Sequence, residues 1–218
     1  SKCGYCDFYS ITCRAGRHAY ADILVQEISS YQGQGYTADT LFFGGGTPSL
    51  MEAEELVRLL SACREAFSLD MEGEITLEAN PDSVSLEYLK TLRKAGFNRV
   101  SFGAQSILDG ELKALGRRHD ASRIRQAMEW AKEAGFAHRS LDVMVGIPYQ
   151  TSESLSRTLE GFAAMGPDHI SAYLLKIEEG TPFARQNAQR LCPDEDQTAD
   201  LYLQTVEQLA SLGYAQYE

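Results

Sequence analysis

The chain has 218 residues, of which 44% are hydrophobic and 23% charged, so it can form one substantial core and does not have the composition of a disordered protein. Its 31 acidic and 20 basic residues give a net charge of -11, which disfavours a nucleic-acid partner because the field of the protein repels phosphate backbones. No apolar run is long enough to predict a transmembrane segment, and five cysteines, an odd number, indicate reduced thiols in a cytoplasmic protein.

Strands and helices alternate along the chain. A loop that contains Cys3 and Cys6 leads into a predicted helix over residues 18–31. Predicted strands lie at 41–43, 74–79, 99–104, 140–145 and 169–177, with a sixth starting near Tyr214, and predicted helices cover 85–95, 121–134, 153–165 and 195–212. After the GGGTP stretch, Ser49 and Glu52 have the S-x-x-E spacing of a capping box, which predicts one more helix.

A glycine follows four of these helices and precedes a strand, at Gly96, Gly135, Gly166 and Gly213. Glycine is the residue that ends a helix with a positive φ, so each marks a short joint between helix and strand. The alternation predicts parallel strands with helices outside, in a (β/α) barrel or an open doubly wound sheet. We favour the barrel, because polar residues follow the strands at their carboxyl ends, where barrels carry their sites.

The two ends of the chain break this alternation. No strand precedes the cysteine loop, although every later helix has one, and the segment from Tyr214 stops where a strand would begin. We therefore expect one domain over residues 1–218 that is a fragment truncated at both ends, with its first strand missing.

The pair Cys3 and Cys6 has the C-x-x-C spacing of zinc sites, thioredoxin-type redox pairs and iron–sulfur sites. The redox interpretation needs a helix start at the second cysteine, whereas the sequence there is typical of an extended loop. Zinc needs a second ligand pair, and no other cysteine or histidine has a matching spacing. The glycine triplet in FFGGGTP can bring backbone groups close to a ligand, or can simply form a tight turn.

Seven segments in order, CGYCDFYS, FFGGGTPSL, ITLEANPD, RVSFGAQS, LGRRHD, LDVMVGIP and YLLKIEEGTP, resemble the radical S-adenosylmethionine (radical SAM) superfamily. Within it they are most similar to the branch that holds oxygen-independent coproporphyrinogen III oxidase and the heme chaperone HemW. In the superfamily pattern C-x-x-x-C-x-aromatic-C, Cys3, Tyr5 and Cys6 match the second cysteine, the aromatic residue and the third cysteine. The first cysteine would precede Ser1. The resemblance covers the whole chain and implies a partial, TIM-like (β/α)6 barrel.

The resemblance also implies cofactors and the residues that bind them. Three thiolates would hold a [4Fe–4S] cluster with one open iron for S-adenosylmethionine, and Cys3 and Cys6 would be two of its ligands. The residues that would contact S-adenosylmethionine are Tyr5 beside the adenine, Gly45, Gly46 and Thr47 at the methionine end, Glu78 and Asp142 as acceptors for ribose hydroxyls or the amine, Gln105 at the methionyl moiety, and Arg117 at the carboxylate.

Each of the charged residues also has a structural interpretation. Glu78 could cap the segment before Pro81, and Asp142 could be a satisfied polar group inside the barrel. Arg117, beside Arg118, could belong to a solvated run of charges.

Within the branch, the resemblance favours the heme chaperone. The oxidases carry a further cysteine two residues beyond the third cluster ligand, and Phe8 stands at that position. The protein would then bind heme or a porphyrin, receive electrons from a donor protein and deliver heme to an acceptor protein. The alternative is an oxidoreductase that decarboxylates the propionates of coproporphyrinogen III through a 5′-deoxyadenosyl radical. A third alternative is an interaction domain stabilised by zinc.

Overall fold

The computed structural model of the chain describes residues 2–9, 16–70 and 72–218. Eight α-helices in this part of the chain are α1 (Arg17–Ser29), α2 (Ala53–Ala66), α3 (Leu86–Ala95), α4 (Asp109–Ala114), α5 (Ala121–Ala134), α6 (Ser152–Ala163), α7 (Pro182–Arg185) and α8 (Glu195–Ser211). Seven strands are β1 (Thr37–Ala38), β2 (Leu41–Phe43), β3 (Ser68–Leu69), β4 (Ile75–Ala79), β5 (Arg99–Gln105), β6 (His138–Val145) and β7 (His169–Leu174). Short 3-10 helices lie at Pro48–Leu50, Pro81–Ser83 and Ala188–Leu191.

The main sheet contains five parallel strands in the order β2-β4-β5-β6-β7, and β1 pairs with β3 in a separate two-stranded parallel sheet. The order of the main sheet follows the order of the chain and never reverses, which is the winding of a barrel and not of a doubly wound sheet. Its end strands β2 and β7 are not paired with each other in the described part of the chain, so the barrel is partial. The predicted fold class is confirmed.

Helices cover the outer face of this sheet, and the hydrophobic core lies between the two layers. The largest fully buried side chains there include Phe97, Phe102, Phe136 and Phe162, which lie in or beside strands and helices of the central units. The glycines at two of the predicted joints are left-handed helix caps, with φ 118° at Gly96 and 89° at Gly135. No helix of the described residues is long and apolar enough to cross a membrane.

Two local predictions are wrong. The predicted sixth strand near Tyr214 is irregular, because the Tyr214 backbone N–H closes the end of α8 on the carbonyl of Leu209, 2.9 Å away, and does not join a strand. The predicted capping box at Ser49 and Glu52 is displaced: α2 begins after Glu52, whose N–H donates to the Glu55 carboxylate at 3.1 Å.

Ser49 lies instead in the short helix Pro48–Leu50, where its hydroxyl lies 2.5 Å from that of Ser83 and accepts from the Asn80 N–H at 3.3 Å. The predicted strand at 169–177 is also shorter than expected and ends at Leu174. The other predicted strands and helices lie within two residues of the observed ones.

Candidate functional site

Alternate residues of the parallel strands point into the barrel and are polar, whereas their neighbours point to the helices and are apolar. On β6, Leu141 and Val143 are fully buried against the helices, while Asp142 between them accepts a hydrogen bond from the Ser101 hydroxyl of β5 at 3.0 Å. Glu78 of β4 lies opposite Ser101 in the register of the same sheet. The period-two pattern of the strands therefore brings the predicted carboxylates to one interior surface.

Arg117 joins this surface to the cysteine turn, residues 3–6. One guanidinium nitrogen of Arg117 lies 3.4 Å from the Cys3 Sγ and 3.4 Å from the Tyr5 hydroxyl. The other donates to the Asn80 side-chain oxygen and to the carbonyl of Gly103. The planar guanidinium of Arg117, with its several N–H donors, thus contacts three separate segments of the chain. The interpretation of Arg117 as part of a solvated run of charges is therefore wrong.

The neighbouring Arg118 behaves differently, since its guanidinium forms a 2.7 Å ion pair with Asp82 and is half exposed. Two adjacent arginines therefore have separate surroundings, one inside the mouth of the barrel and one on the surface.

The cysteine turn is compact and carries two free thiols. The Cys6 backbone N–H donates to the Cys3 carbonyl at 3.3 Å, and both cysteine residues are partly exposed. Burial raises the pKa of Tyr5 to about 12, although the positive charge of Arg117 opposes that effect. Tyr5 is therefore a neutral hydrogen-bonding group between the thiols and the barrel at physiological pH.

The glycine turn follows β2 and faces the same interior. Gly45 has φ 112°, and its N–H donates to the Glu78 carboxylate at 3.3 Å. A Cβ built on Gly45 or Gly46 would meet no atom within 4 Å, so the turn borders open space. The Thr47 hydroxyl donates to the Gly46 carbonyl at 2.6 Å and accepts from the Asn80 amide at 3.4 Å.

The surroundings of the two interior carboxyl groups, Asp142 and Glu78, disfavour their charged forms. Burial raises the pKa of Asp142, although hydrogen bonds from Ser101 and Ser171 act in the opposite direction. Burial, and then the negative charge of Asp142, raise the pKa of Glu78, and the N–H of Gly45 opposes this. Hydrogen bonds from the protein do not fully offset the effect of burial on these two carboxyl groups, which is typical of groups that bind a ligand.

Gln105 occupies a strained position at the end of β5. Its φ is 71°, a left-handed conformation that is uncommon outside glycine, and the register of β5 with β6 shifts between Phe102 and Gln105. Its side chain is 8% exposed, and its amide oxygen has no hydrogen-bond partner among the described residues. A Cβ on Gly103 would come within 3.1 Å of the Gln105 amide nitrogen and 3.2 Å of Arg117, so a larger residue there would press on both side chains.

The structure thus brings together Cys3, Tyr5 and Arg117 in one set of contacts, and Gly45 and Glu78 in a second. Asp142 lies close enough to Glu78 to raise its pKa, and Arg117 lies close enough to Asp142 to oppose the rise in the Asp142 pKa. Asn80 links the two sets through Arg117 and Thr47, a role that sequence reasoning missed although the residue was recognisable as a polar strand end. The binding roles assigned to the predicted residues stay predictions.

No three histidine, cysteine or acidic side chains of residues 2–9, 16–70 and 72–218 lie close enough together to hold a metal ion. The cysteine turn supplies two thiols on its own. Cys13, the other cysteine close in sequence, lies outside the described residues.

Comparisons with known proteins agree with this geometry. The chain is 38% identical over 232 residues to the heme chaperone HemW of Haemophilus influenzae and 36% identical over 226 residues to that of Mycobacterium tuberculosis, and both alignments cover 100% of the chain. The chain spans 58% of the length of each of these relatives.

A solved structure of coproporphyrinogen III oxidase (HemN) from Escherichia coli, a radical SAM enzyme, has a TM-score of 0.85 and 30% sequence identity. It covers 99% of this chain, which corresponds to 51% of the oxidase chain. The sequence profile of the Radical SAM superfamily matches residues 1–161, which include the cysteine turn, the glycine turn and the polar ends of β4, β5 and β6. The chain therefore belongs to the radical SAM superfamily.

Proposed function

We propose that residues 1–218 form a radical SAM core domain that binds a [4Fe–4S] cluster and S-adenosylmethionine in the mouth of the barrel. The observation that carries this proposal is the position of Arg117, whose guanidinium contacts the Cys3 thiol and also the polar ends of β4 and β5. A cofactor held by the thiols would therefore lie next to the residues that we propose to bind a nucleotide or amino-acid group.

The cysteine turn suits an iron–sulfur cluster in part. Cys3 and Cys6 present two thiols from one backbone turn, which is how clusters are held in C-x-x-C sequences. Two thiols are fewer than the three of the superfamily pattern, so the proposal requires a further thiolate from outside the described residues. A zinc-stabilised interaction domain would need four ligands, and it gains no support from the described residues.

The interior surface suits S-adenosylmethionine, which carries an amine, a carboxylate and ribose hydroxyls. The free amide oxygen of Gln105 and the carboxyls of Glu78 and Asp142 are acceptors for its N–H and O–H donors. Arg117 would pair with the carboxylate, and the open backbone at Gly45 would allow close approach.

In this assignment, Gly46 and Thr47 complete the backbone of the methionine site, and Tyr5 lies beside the adenine. When bound, a [4Fe–4S] cluster would supply the electron that cleaves the sulfonium carbon–sulfur bond. The role of the chain's own residues would be to orient the nucleotide and to keep its amine and carboxylate in a fixed place.

For the whole protein we propose a heme chaperone that binds heme and passes it to an acceptor protein in the cytoplasm, with an electron donor protein for the cluster. The similarity to proteins named HemW, which covers the whole of this chain and 58% of each relative, supports this function. The presence of Phe8, exposed and without a thiol, where the oxidases have a further cysteine, also favours it. The similarity to coproporphyrinogen III oxidase keeps oxidative decarboxylation of coproporphyrinogen III as the second candidate.

The test compares two adjacent arginines in the full-length protein, reconstituted anaerobically with iron and sulfide. Arg117→Lys removes the fork of donors at the proposed carboxylate site, so we expect S-adenosylmethionine to bind at least about tenfold more weakly, since a hydrogen bond to a charged group contributes about 1.5–3 kcal/mol. Arg118→Lys, which alters only a surface ion pair, should leave the affinity within about twofold.

Isothermal titration calorimetry measures both affinities. Equal affinities for the two variants, or the lack of an iron–sulfur absorption spectrum in the wild type, would contradict the proposal. Incubation with heme and with coproporphyrinogen III then separates the two functions, because a chaperone retains stoichiometric heme and forms no protoporphyrinogen.

A further inference from the structure

A second, smaller hydrophobic cluster lies beneath the cysteine turn, apart from the main core. Its buried members are Leu115, Met144, Ile147, Phe183 and Ala188, and Tyr5, Leu175 and Ile177 pack against it. This cluster joins the turn near the N-terminus to a segment that comes almost 180 residues later, at α7.

Phe183 makes the closest contacts with the turn. Its backbone N–H donates to the Gly4 carbonyl at 2.9 Å, and its ring meets the Tyr5 ring edge-on, with centroids 6.1 Å apart. A Cβ added to Gly4 would lie only 2.4 Å from the ring of Phe183. Because Gly4 has no left-handed φ, this ring is what excludes a larger residue at position 4.

The segment after α4 also contacts the turn, and its Leu115 belongs to the same cluster as Phe183. A Cβ on Gly116 would lie 3.7 Å from the Gly4 backbone nitrogen, and Arg117 contacts Cys3. The cysteine turn is therefore in contact with two segments that are distant in sequence, residues 116–117 and Phe183.

The segment that carries Phe183 is itself fixed. The Thr181 hydroxyl donates to the Glu178 carbonyl at 2.7 Å and accepts from the Ala184 N–H at 3.2 Å, so it caps α7, and Thr181 is 2% exposed. This segment lies beyond residue 161, where the match to the superfamily profile ends. The contact is thus made by a part of the chain that the shared superfamily profile does not include.

We propose that Phe183 is a positioning residue for the two cysteines of the turn. Through its hydrogen bond to Gly4 and its contact with Tyr5, it keeps Cys3 and Cys6 in one arrangement and shields the backbone between them from water. In the cluster-bound protein, which rests on the proposed function, the same contact would slow the loss of iron.

The first experiment uses the metal-free, full-length protein and so does not depend on the cluster. Phe183→Leu keeps an apolar side chain but withdraws the ring from Gly4 and Tyr5. We expect Cys3 and Cys6 to react with iodoacetamide about fivefold faster in this variant, because the turn opens locally more often. Peptide mass spectrometry measures the rate at each cysteine.

Phe136→Leu is the matched control, since Phe136 is also a buried phenylalanine, 1% exposed, but lies in the main core. It should lower stability without changing the reaction rate of the two cysteines. Gly4→Ala is a second variant, and it should speed alkylation as Phe183→Leu does, because its methyl group would displace the ring of Phe183.

The second experiment measures the release of iron from reconstituted protein to a chelator, which should be about fivefold faster in Phe183→Leu than in wild type. Unchanged alkylation in Phe183→Leu, or equal acceleration in Phe136→Leu, would overturn the positioning role. If the wild type holds no cluster, the proposed function fails, and the alkylation rates still decide the role of Phe183.

Discussion

Asp142→Asn should stabilise the ligand-free protein while weakening its binding of S-adenosylmethionine. A carboxylate taken out of water loses several kcal/mol of solvation. The hydroxyls of Ser101 and Ser171 compensate part of this loss, and the charges of Arg99 and Arg117 compensate some more, yet burial still leaves the pKa of Asp142 raised. Asparagine keeps an oxygen that can accept from Ser101 without any charge, so we expect a gain of about 1 kcal/mol at pH 8. For a chain of this length, that gain raises the melting temperature by about 3 °C.

The gain should depend on pH with a defined sign. The raised pKa means that folded Asp142 binds a proton more readily than the unfolded chain, whose carboxyl titrates at about 3.9. Between that pH and the raised native pKa, the wild type therefore loses stability as pH rises. The advantage of Asp142→Asn should be small at low pH, should grow through this window and should be constant above it.

Urea denaturation of both proteins from about pH 3.5 to 8 measures this difference across the window, with Asp168→Asn as the control. Burial raises the pKa of Asp168, but its bonds to His138 and to the Arg139 N–H outweigh burial and leave the pKa lowered. Asp168→Asn should therefore destabilise the protein at neutral pH. If Asp142→Asn destabilises it as well, Asp142 contributes to stability as an ordinary buried polar group, and the reasoning that places it in a binding site is refuted.

Two further predictions concern single groups of the site. Gly45→Ala should cost about 1–3 kcal/mol of stability, because Gly45 has φ 112°. Gly46→Ala should change stability by less than about 0.5 kcal/mol, because Gly46 has an ordinary φ and borders open space. Thermal denaturation measures both changes. Burial, and then the charge of Arg117, lower the pKa of His119 to about 4, so the unfolded chain binds more protons than the folded chain from there to about pH 6.5. Stability should rise with pH through that window, and urea denaturation of His119→Asn should show a flatter dependence.

Much of the fold could be predicted because its signals are local. The helix caps at Gly96 and Gly135 require a positive φ at a fixed place, and strand periodicity needs only neighbouring residues. The polar strand ends Glu78 and Asp142 were predictable as a group for the same reason, since parallel strands bring their carboxyl ends to one edge. The individual hydrogen bonds of Glu78 and Asp142 could not be predicted in this way.

The features that sequence reasoning missed depend on contacts between distant residues. Phe183 approaches Gly4 across most of the chain, and no spacing within either segment indicates that contact. Ser49 had a valid capping pattern, but bonds to Ser83 and Asn80 draw it into a different turn. Tertiary hydrogen bonds therefore outweighed the local capping propensity of Ser49.

The two ends of the barrel interior differ in how well their polar groups are satisfied. Near the amino ends of the strands, the Ser140 hydroxyl lies 2.9 Å from one nitrogen of His169, whose other nitrogen lies 2.7 Å from the Tyr217 hydroxyl, so these groups satisfy one another.

At the carboxyl ends, Gln105 has a strained backbone and an amide oxygen without a partner among the described residues, and the pKa values of Glu78 and Asp142 are raised. A polar interior that served only the fold would pair its groups equally well at both ends, because an unpaired buried group destabilises the protein. The unpaired amide oxygen of Gln105 and the raised pKa values of Glu78 and Asp142 therefore support a ligand site at this end on physical grounds that do not depend on family membership.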